Sequence, residues 1–287
     1  MQLLSKSKLL DWYVSKHLST WAIEKKYGYS RSVVYKKLKD YKIAPRSLAA
    51  SHFKTSRKIF DGSLEERAYL VGFAVGDLRV RLHNKKGRSE TISIACSSSK
   101  LAQIKLIRDL FSSYGHIWEG QPNYRGIVSI EAFVDLSFNF LFKDKNNVED
   151  NLKLFKKRSH FLSFLAGFSD AEGSIFISRG MAQMSWGNYD KKILDYIKNG
   201  LTKINVRTGS INNDHLKGYK GKDGYKRNKN YYHLCCAEKS SLEKLLNMLK
   251  QYIRHGDKIK SSEIALNNIQ ERNKKFPWTI KRKTFSI

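Results

Sequence analysis

Two stretches of related sequence decide the fold: Tyr69-Leu-Val-Gly-Phe-Ala-Val-Gly-Asp77 and Phe164-Leu-Ala-Gly-Phe-Ser-Asp-Ala-Glu-Gly173. Both read as helices. Ser63 and Glu66 have the S-x-x-E spacing of a capping box, which starts the first helix near Leu64. Gly72 and Gly76 stand four apart and share a helix face, and Gly167 and Ala171 repeat that spacing. Small residues so placed let two helix backbones approach closely. Such a contact between the two copies would offset the ~0.5–1 kcal/mol that a mid-helix glycine costs. Each helix runs out on a carboxylate, Asp77 or Glu172, at the end where the helix dipole is negative. Packed side by side, the helices bring two like charges together, which calls for a positive partner. A hard divalent cation with oxygen ligands, Mg²⁺ above all, meets that demand.

The sequence downstream of each motif also repeats. After each comes an alternating strand, more strand-like sequence, and an amphipathic helix, at Leu101–Ser112 in one copy and Lys191–Ile204 in the other. A further strand region and a last helix complete each copy, ending near Phe142 and near Met248. A repeat of this length is one structural unit used twice. The expected fold class is α+β: two pseudo-symmetric αββαββα repeats, over 63–150 and 151–287, whose antiparallel sheets form a saddle.

Upstream, residues 1–45 read as short helices in a small all-α, helix-turn-helix-like unit. Ser19 and Ser30 are placed to cap successive helices, Gly28 sits at the turn, and Val34 and Leu38 face back onto the first helix. Arg31, Ser32, Tyr35 and Lys36 are left on the outer face of the second helix, where a groove-reading helix carries its contacts. Glu24 stands where such motifs usually have a small residue. A plain packing hairpin is the competing reading. Residues 46–62 read as a basic linker, either tracking phosphates or acting as a tether.

Composition narrows the partners. The chain has 287 residues, with 54 Lys and Arg against 26 Asp and Glu, for a net charge of +28. An excess that large implies a polyanion. At 41% hydrophobic residues the chain can bury real cores, which excludes disorder as its main state. Cys96, Cys235 and Cys236 form neither a CxxC pair nor an even framework, which argues against a disulfide scaffold or a zinc ribbon. No run of 18 apolar residues is present, so no membrane partner is expected, and no signal peptide is visible. The expected location is intracellular, in a DNA-containing compartment: prokaryotic cytoplasm, or an organelle matrix.

The two motif stretches, with the pattern downstream of them, resemble the signature helices of the single-chain, two-motif LAGLIDADG homing endonucleases. The resemblance spans about residues 60–272. It implies that the helices form the interface between two halves and that the sheets straddle double-stranded DNA. It further implies that Asp77 and Glu172 hold Mg²⁺ for hydrolysis of both strands, leaving short 3′ overhangs. The carbonyls of Gly76 and Ala171 are further metal-ligand candidates, and Lys258 is the candidate for a basic catalytic residue. Cys96, Ser97 and Ser98 stand where Gln or Lys is usual in that family, and Ile175 and Asn188 where its members can carry Lys.

Strand alternation nominates the DNA readers. Leu78, Val80 and Leu82 point to the core, leaving Arg79, Arg81 and His83 outward; arginine is the commonest guanine reader in the major groove. Arg88 lies in a basic hairpin turn, and Ser93 shares a face with Thr91 and Ala95 on the returning strand. In the second copy Ser174, Phe176 and Ser178 alternate with Ile175 and Ile177, and Arg179, Gln183 and Ser185 continue that surface. Lys217, Lys220, Lys222, Arg227 and Lys229 belong to an inserted basic hairpin. The expected activity is a monomeric, Mg²⁺-dependent, site-specific DNA endonuclease, intron-encoded. The alternatives are a splicing maturase bound to intron RNA and a non-enzymatic DNA-binding regulator, in which the acids would usually be lost.

Overall fold

The computed structural model describes residues 3–16, 18–46, 55, 57–83, 90–142, 145–221, 224 and 226–275. Arg88, Lys222 and most of the linker lie outside the described residues.

The N-terminal unit holds α1 (Lys6–Leu9), a π-helical turn over Leu10–Ser15, α2 (Thr20–Tyr27) and α3 (Arg31–Asp40). Ser19 caps α2 by accepting from the Ala22 N–H at 3.0 Å. Gly28 ends α2 with φ of 75°, a left-handed turn that suits glycine. Ser30 precedes α3, but its hydroxyl meets Ser32 at 3.1 Å rather than capping the helix. Val34 and Leu38 close a small core with Leu4, Leu9, Tyr13, Ile23 and Tyr29.

The rest of the chain is the doubled unit. The first repeat runs α4 (Leu64–Gly76), β1 (Arg79–Leu82), β2 (Ile92–Ser98), α5 (Leu101–Phe111), β3 (His116–Glu119) and β4 (Val128–Val134). The second runs α7 (Arg158–Glu172), β5 (Gly173–Ser178), β6 (Met181–Asn188), α8 (Lys191–Lys203), β7 (Asn212–His215), β8 (Tyr231–Cys236), α9 (Lys239–Leu249) and α10 (Gly256–Lys275). Each repeat builds a four-stranded antiparallel sheet, ordered β1-β2-β4-β3 and β5-β6-β8-β7. The last helix of the first repeat differs from expectation. Leu136–Leu141 is a 3-10 turn, capped by Asp135, and a separate α6 (Lys145–Leu154) leads into the second repeat.

The helix pair is the axis of the fold. A Cβ built on Gly72 would stand 2.1 Å from the Phe164 carbonyl oxygen, and one on Gly167 would stand 2.0 Å from that of Tyr69. The backbones of α4 and α7 therefore touch reciprocally. Around them a single core gathers Phe73, Phe164 and Phe168 from the helices, Ile94 and Ala132 from the first sheet, and Met184, Trp186 and Leu234 from the second. Trp186 is fixed by donating its indole N–H to Ser169 at 2.8 Å. The N-cap of α4 is only half the expected box. Ser63 accepts from the Glu66 N–H at 3.1 Å, but the Glu66 carboxylate instead takes a two-pronged ion pair from Arg254, both bonds 2.8 Å.

Candidate metal centre and nucleic-acid interface

The helix crossing carries the chain to the site. Past Gly72 and Gly167 the helices stay close: a Cβ on Gly76 would meet Ala171 Cβ at 2.4 Å and Glu172 Cγ at 2.9 Å. Asp77, which caps α4, and Glu172, the last residue of α7, thus leave the crossing side by side. Asp77 Oδ2 accepts from Gln103 Nε2 on α5 at 2.8 Å, which fixes the carboxylate's direction. Glu172 lies close enough to Tyr231 to help burial raise that phenol's pKa.

These residues fit a hard cation. Among the described residues no cluster of three His, Cys, Asp or Glu side chains could hold a metal. The available donors are oxygens: two carboxylates and the carbonyls of Gly76 and Ala171 in the last helical turns. Such a partial set suits a cation that keeps water and takes phosphate oxygens as ligands, as Mg²⁺ does.

The two halves are chemically unequal around the acids. On one side a cleft of about 210 Å³ is lined by Asp77, Cys96, Lys100, Gln103, His255 and Lys258, among others, with Asp170 at its wall. Lys258 donates its Nζ–H to the Gly173 carbonyl. Burial lowers its pKa, with Lys100 adding to the effect, while Asp170 and Asp77 oppose it. Burial also lowers the pKa of His255. It raises the Asp170 carboxyl to about 6, against the pull of the Tyr69 hydroxyl and two backbone N–H groups. A cleft in the other half, about 420 Å³, is lined by Val75, Val148, Asn188, Tyr189, Asp190, Ile193 and Lys229. Of the residues nominated from the sequence, Asp77 and Lys258 line the cleft of about 210 Å³, together with Lys100, Gln103, Asp170 and His255, which were not nominated. These are brought in by α5, α7 and the turn before α10, and carry no local signal.

The outward faces of the sheets hold most of the nominated readers. Arg79, Arg81 and His83 are exposed on or just after β1, and Leu78, just before it, is buried. Register sets two rows across the first sheet: Arg79, Ala95, Glu131 and Trp118; then Arg81, Ser93, Phe133 and His116. Ser93 corrects the expectation. It lies on the outward face yet is 0% exposed, and its hydroxyl donates to Glu131. Glu131 also pairs with Arg81 at 3.3 Å. Thr91, Ala95 and Ser185, expected on the same open surfaces, are likewise buried. Trp118, 49% exposed, and His116 stand on that face and were not foreseen.

In the second sheet Ser174 and Phe176 are exposed, and Ser178 and Gln183 are half-buried. Arg179 occupies the tight turn between β5 and β6 with φ of 50°. Ile177, expected to be inward, is 41% exposed. Between β7 and β8 lies a basic hairpin: Lys220 bridges Lys226, the Gly218 N–H donates to the Arg227 carbonyl, and the Arg227 N–H donates to the Tyr219 carbonyl. Lys217, Lys220 and Lys229 are exposed there, and Arg227 is half-buried. On α3, Ser32, Tyr35 and Lys36 are exposed. Arg31 is held by Glu24 at 3.0 Å, and the Glu24 carboxylate also accepts from the Arg31 N–H at 3.4 Å. The acid at this unusual position thus caps α3.

The class defined by fold and site is a single-chain, doubled α+β protein with paired acidic helix ends at its pseudo-symmetry axis. No protein-family model matches the chain, and no curated protein matches it. Solved structures with a similar fold include I-DmoI in complex with DNA and Ca, at 14% identity and a TM-score of 0.49, covering 70% of this chain and 98% of that one. I-DmoI in complex with DNA and Mn is similar at 17% identity and TM-score 0.46, covering 65% and 97%. The N-terminal LAGLIDADG domain of DUF199/WhiA is similar at 17% and 0.42, covering 66% and 82%.

Proposed function

We propose that the chain is a site-specific endonuclease for double-stranded DNA, of the two-motif LAGLIDADG kind, and that Asp77 and Glu172 hold divalent cations, Mg²⁺ in the first place. The observation that carries the reading is the glycine-to-backbone crossing of α4 and α7. It delivers one carboxylate from each repeat to a common point, each directly ahead of a strand with an outward DNA-reading face. Two carboxylates at two negative helix ends are unfavourable together, and no fold gains stability from collecting them there. Their convergence is explained by a ligand.

Bound Mg²⁺ would supply Lewis-acid polarisation of the phosphate and a more acidic water. The chain's own part is then positional and electrostatic. Gln103 holds the Asp77 carboxylate in place. Lys258 and Lys100 put positive charge beside it, where charge grows on the phosphate under attack. Arg79, Arg81, Phe176, Gln183 and the basic hairpin from Lys217 to Lys229 would set register and read the duplex. One chain carries both halves, so a monomer suffices. Selection of cut sites from a random DNA library with Mg²⁺ tests the reading. Asp77→Asn or Glu172→Gln is expected to abolish cleavage and leave specific binding in place. If both variants still cut, the site is wrong. If no site is ever cut, the endonuclease reading falls, and RNA binding in its place would point to a maturase.

A further inference from the structure

We infer that Asp170 is a positioning residue for the half-site built on Asp77: it clamps the turn that presents His255 and Lys258, and so makes the two halves cut their strands at unequal rates. The inference rests on the endonuclease reading.

Asp170 is 1% exposed, on the inner face of α7 two residues before Glu172. Its Oδ2 accepts three hydrogen bonds: from the Tyr69 hydroxyl at 2.6 Å, the Arg254 N–H at 2.8 Å and the His255 N–H at 3.2 Å. The first ties α7 to α4. The other two tie it to the turn before α10. Arg254 is gripped again from the α4 side, by its ion pair with Glu66 and by stacking 4.2 Å over the Tyr69 ring. The held turn leads straight into α10: the Asp257 N–H donates to His255 Nδ1 at 3.2 Å, and the Lys258 N–H to the His255 carbonyl at 2.9 Å. Lys258 then reaches the Gly173 carbonyl and the cleft of Asp77.

A buried carboxylate spent on two consecutive backbone N–H groups fixes main chain, and the side chains on that turn inherit its precision. Aligning Asp77 with Glu172 places Val75 opposite Asp170. A valine side chain accepts no hydrogen bond. Val75 and Val148 line the other cleft, whose one lining cation among the described residues is Lys229, from the β7–β8 hairpin. Among the described residues, the first half-site thus has a clamped lysine and the second has none built the same way. The strand served by Asp77 is the one cut faster.

The test follows each strand of a selected target separately, with one end label per strand, under Mg²⁺. The wild-type chain is expected to nick one strand first. Asp170→Asn and Lys258→Met should each slow that strand by about ten- to a hundredfold, the usual effect of losing an outer-shell partner, and leave the other strand within about twofold. Because the two residues act as a unit, the double variant should be no slower than the worse single one. Tyr69→Phe, which removes one of the three donors, should give a smaller slowing of the same strand. Amide hydrogen exchange gives a readout independent of cleavage: Arg254 and His255 N–H should exchange faster in Asp170→Asn than in the wild type. Equal slowing of both strands, additive losses in the double variant, or unchanged exchange at Arg254 and His255 would each overturn the inference. A wild-type chain that cuts neither strand would refute the endonuclease reading instead, leaving the exchange experiment to decide the clamp.

Discussion

Gly167→Ala is the sharpest test of the helix crossing. The added Cβ would lie 2.0 Å from the Tyr69 carbonyl oxygen and 3.0 Å from the Phe73 nitrogen. Both are backbone atoms inside a helix, so neither can swing aside as a side-chain end would. Ordinary carbon contact begins near ~3.5 Å, so α4 and α7 must part by about 1.5 Å at their closest point. Overpacking of this sort costs about 1–3 kcal/mol, and the present case belongs at the upper end because the core around the crossing comes from both repeats. Alanine returns ~0.5–1 kcal/mol through its better helix propensity. The net expectation is a loss of about 2 kcal/mol. With a denaturant slope of about 2 kcal/mol/M, the urea midpoint falls by about 1 M. Gly209→Ala is the control: its nearest neighbour, the Cys235 carbonyl oxygen, would be 3.7 Å away, an ordinary contact. It should stay within ~0.5 kcal/mol of wild type. A Gly167→Ala midpoint equal to or above that of the control would refute the backbone contact, and with it the argument that Asp77 and Glu172 converge.

Three further outcomes are expected. Replacing Lys217, Lys220 and Lys229 together by Ala should weaken DNA binding and flatten its salt dependence by about 0.9 in log–log slope for each phosphate no longer neutralised; an unchanged slope in a filter-binding titration would remove the hairpin from the interface. Deleting residues 1–45 should lower both DNA affinity and its salt dependence, and unchanged values would leave that unit a packing module. Burial pushes the Cys236 thiol up to about 12 and also raises that of Cys235. A thiol reagent at pH 8 should therefore label Cys236 in the native protein last and only on unfolding; early labelling seen by mass spectrometry would contradict its burial.

The parts of this molecule that are legible in the sequence are those whose physics is local. Gly72 and Gly167 announce a close approach because nothing larger fits there. Ser19 and Gly28 bound a short helix through caps that need only neighbouring residues. The alternation of Arg79, Val80, Arg81 and Leu82 gives the faces of β1. The features that escape a sequence reading depend on partners remote in the chain. Ser93 does lie on the outward face, but facing outward is not exposure: Glu131 arrives from β4 and covers it together with its neighbours. Glu66 has the spacing of a reciprocal cap, yet an arginine from the turn before α10 offers its carboxylate a bidentate ion pair, which is stronger than a neutral hydrogen bond. Gln103 and Lys100 look like ordinary residues at the start of an amphipathic helix, and only the folded chain sets them beside Asp77.

The charge balance of the whole chain takes on a different meaning at this site. A net +28 would be expected to make acids the residues that find partners easily. Yet the two carboxylates at the crossing sit where helix dipoles add negative potential. Lys258 and Lys100 line the cleft of Asp77, and the Lys258 ammonium is itself made less comfortable by burial and by Lys100. Glu172 lies near Tyr231 and adds to the rise in that phenol's pKa. Positive charge is plentiful on the faces that would meet phosphate, while two acids at negative helix ends still call for a positive partner. A small, mobile cation meets that demand differently from a fixed side-chain ion pair at the axis. A lysine or arginine between the acids would neutralise them permanently, whereas an exchangeable ion neutralises them and brings its own water to the phosphate.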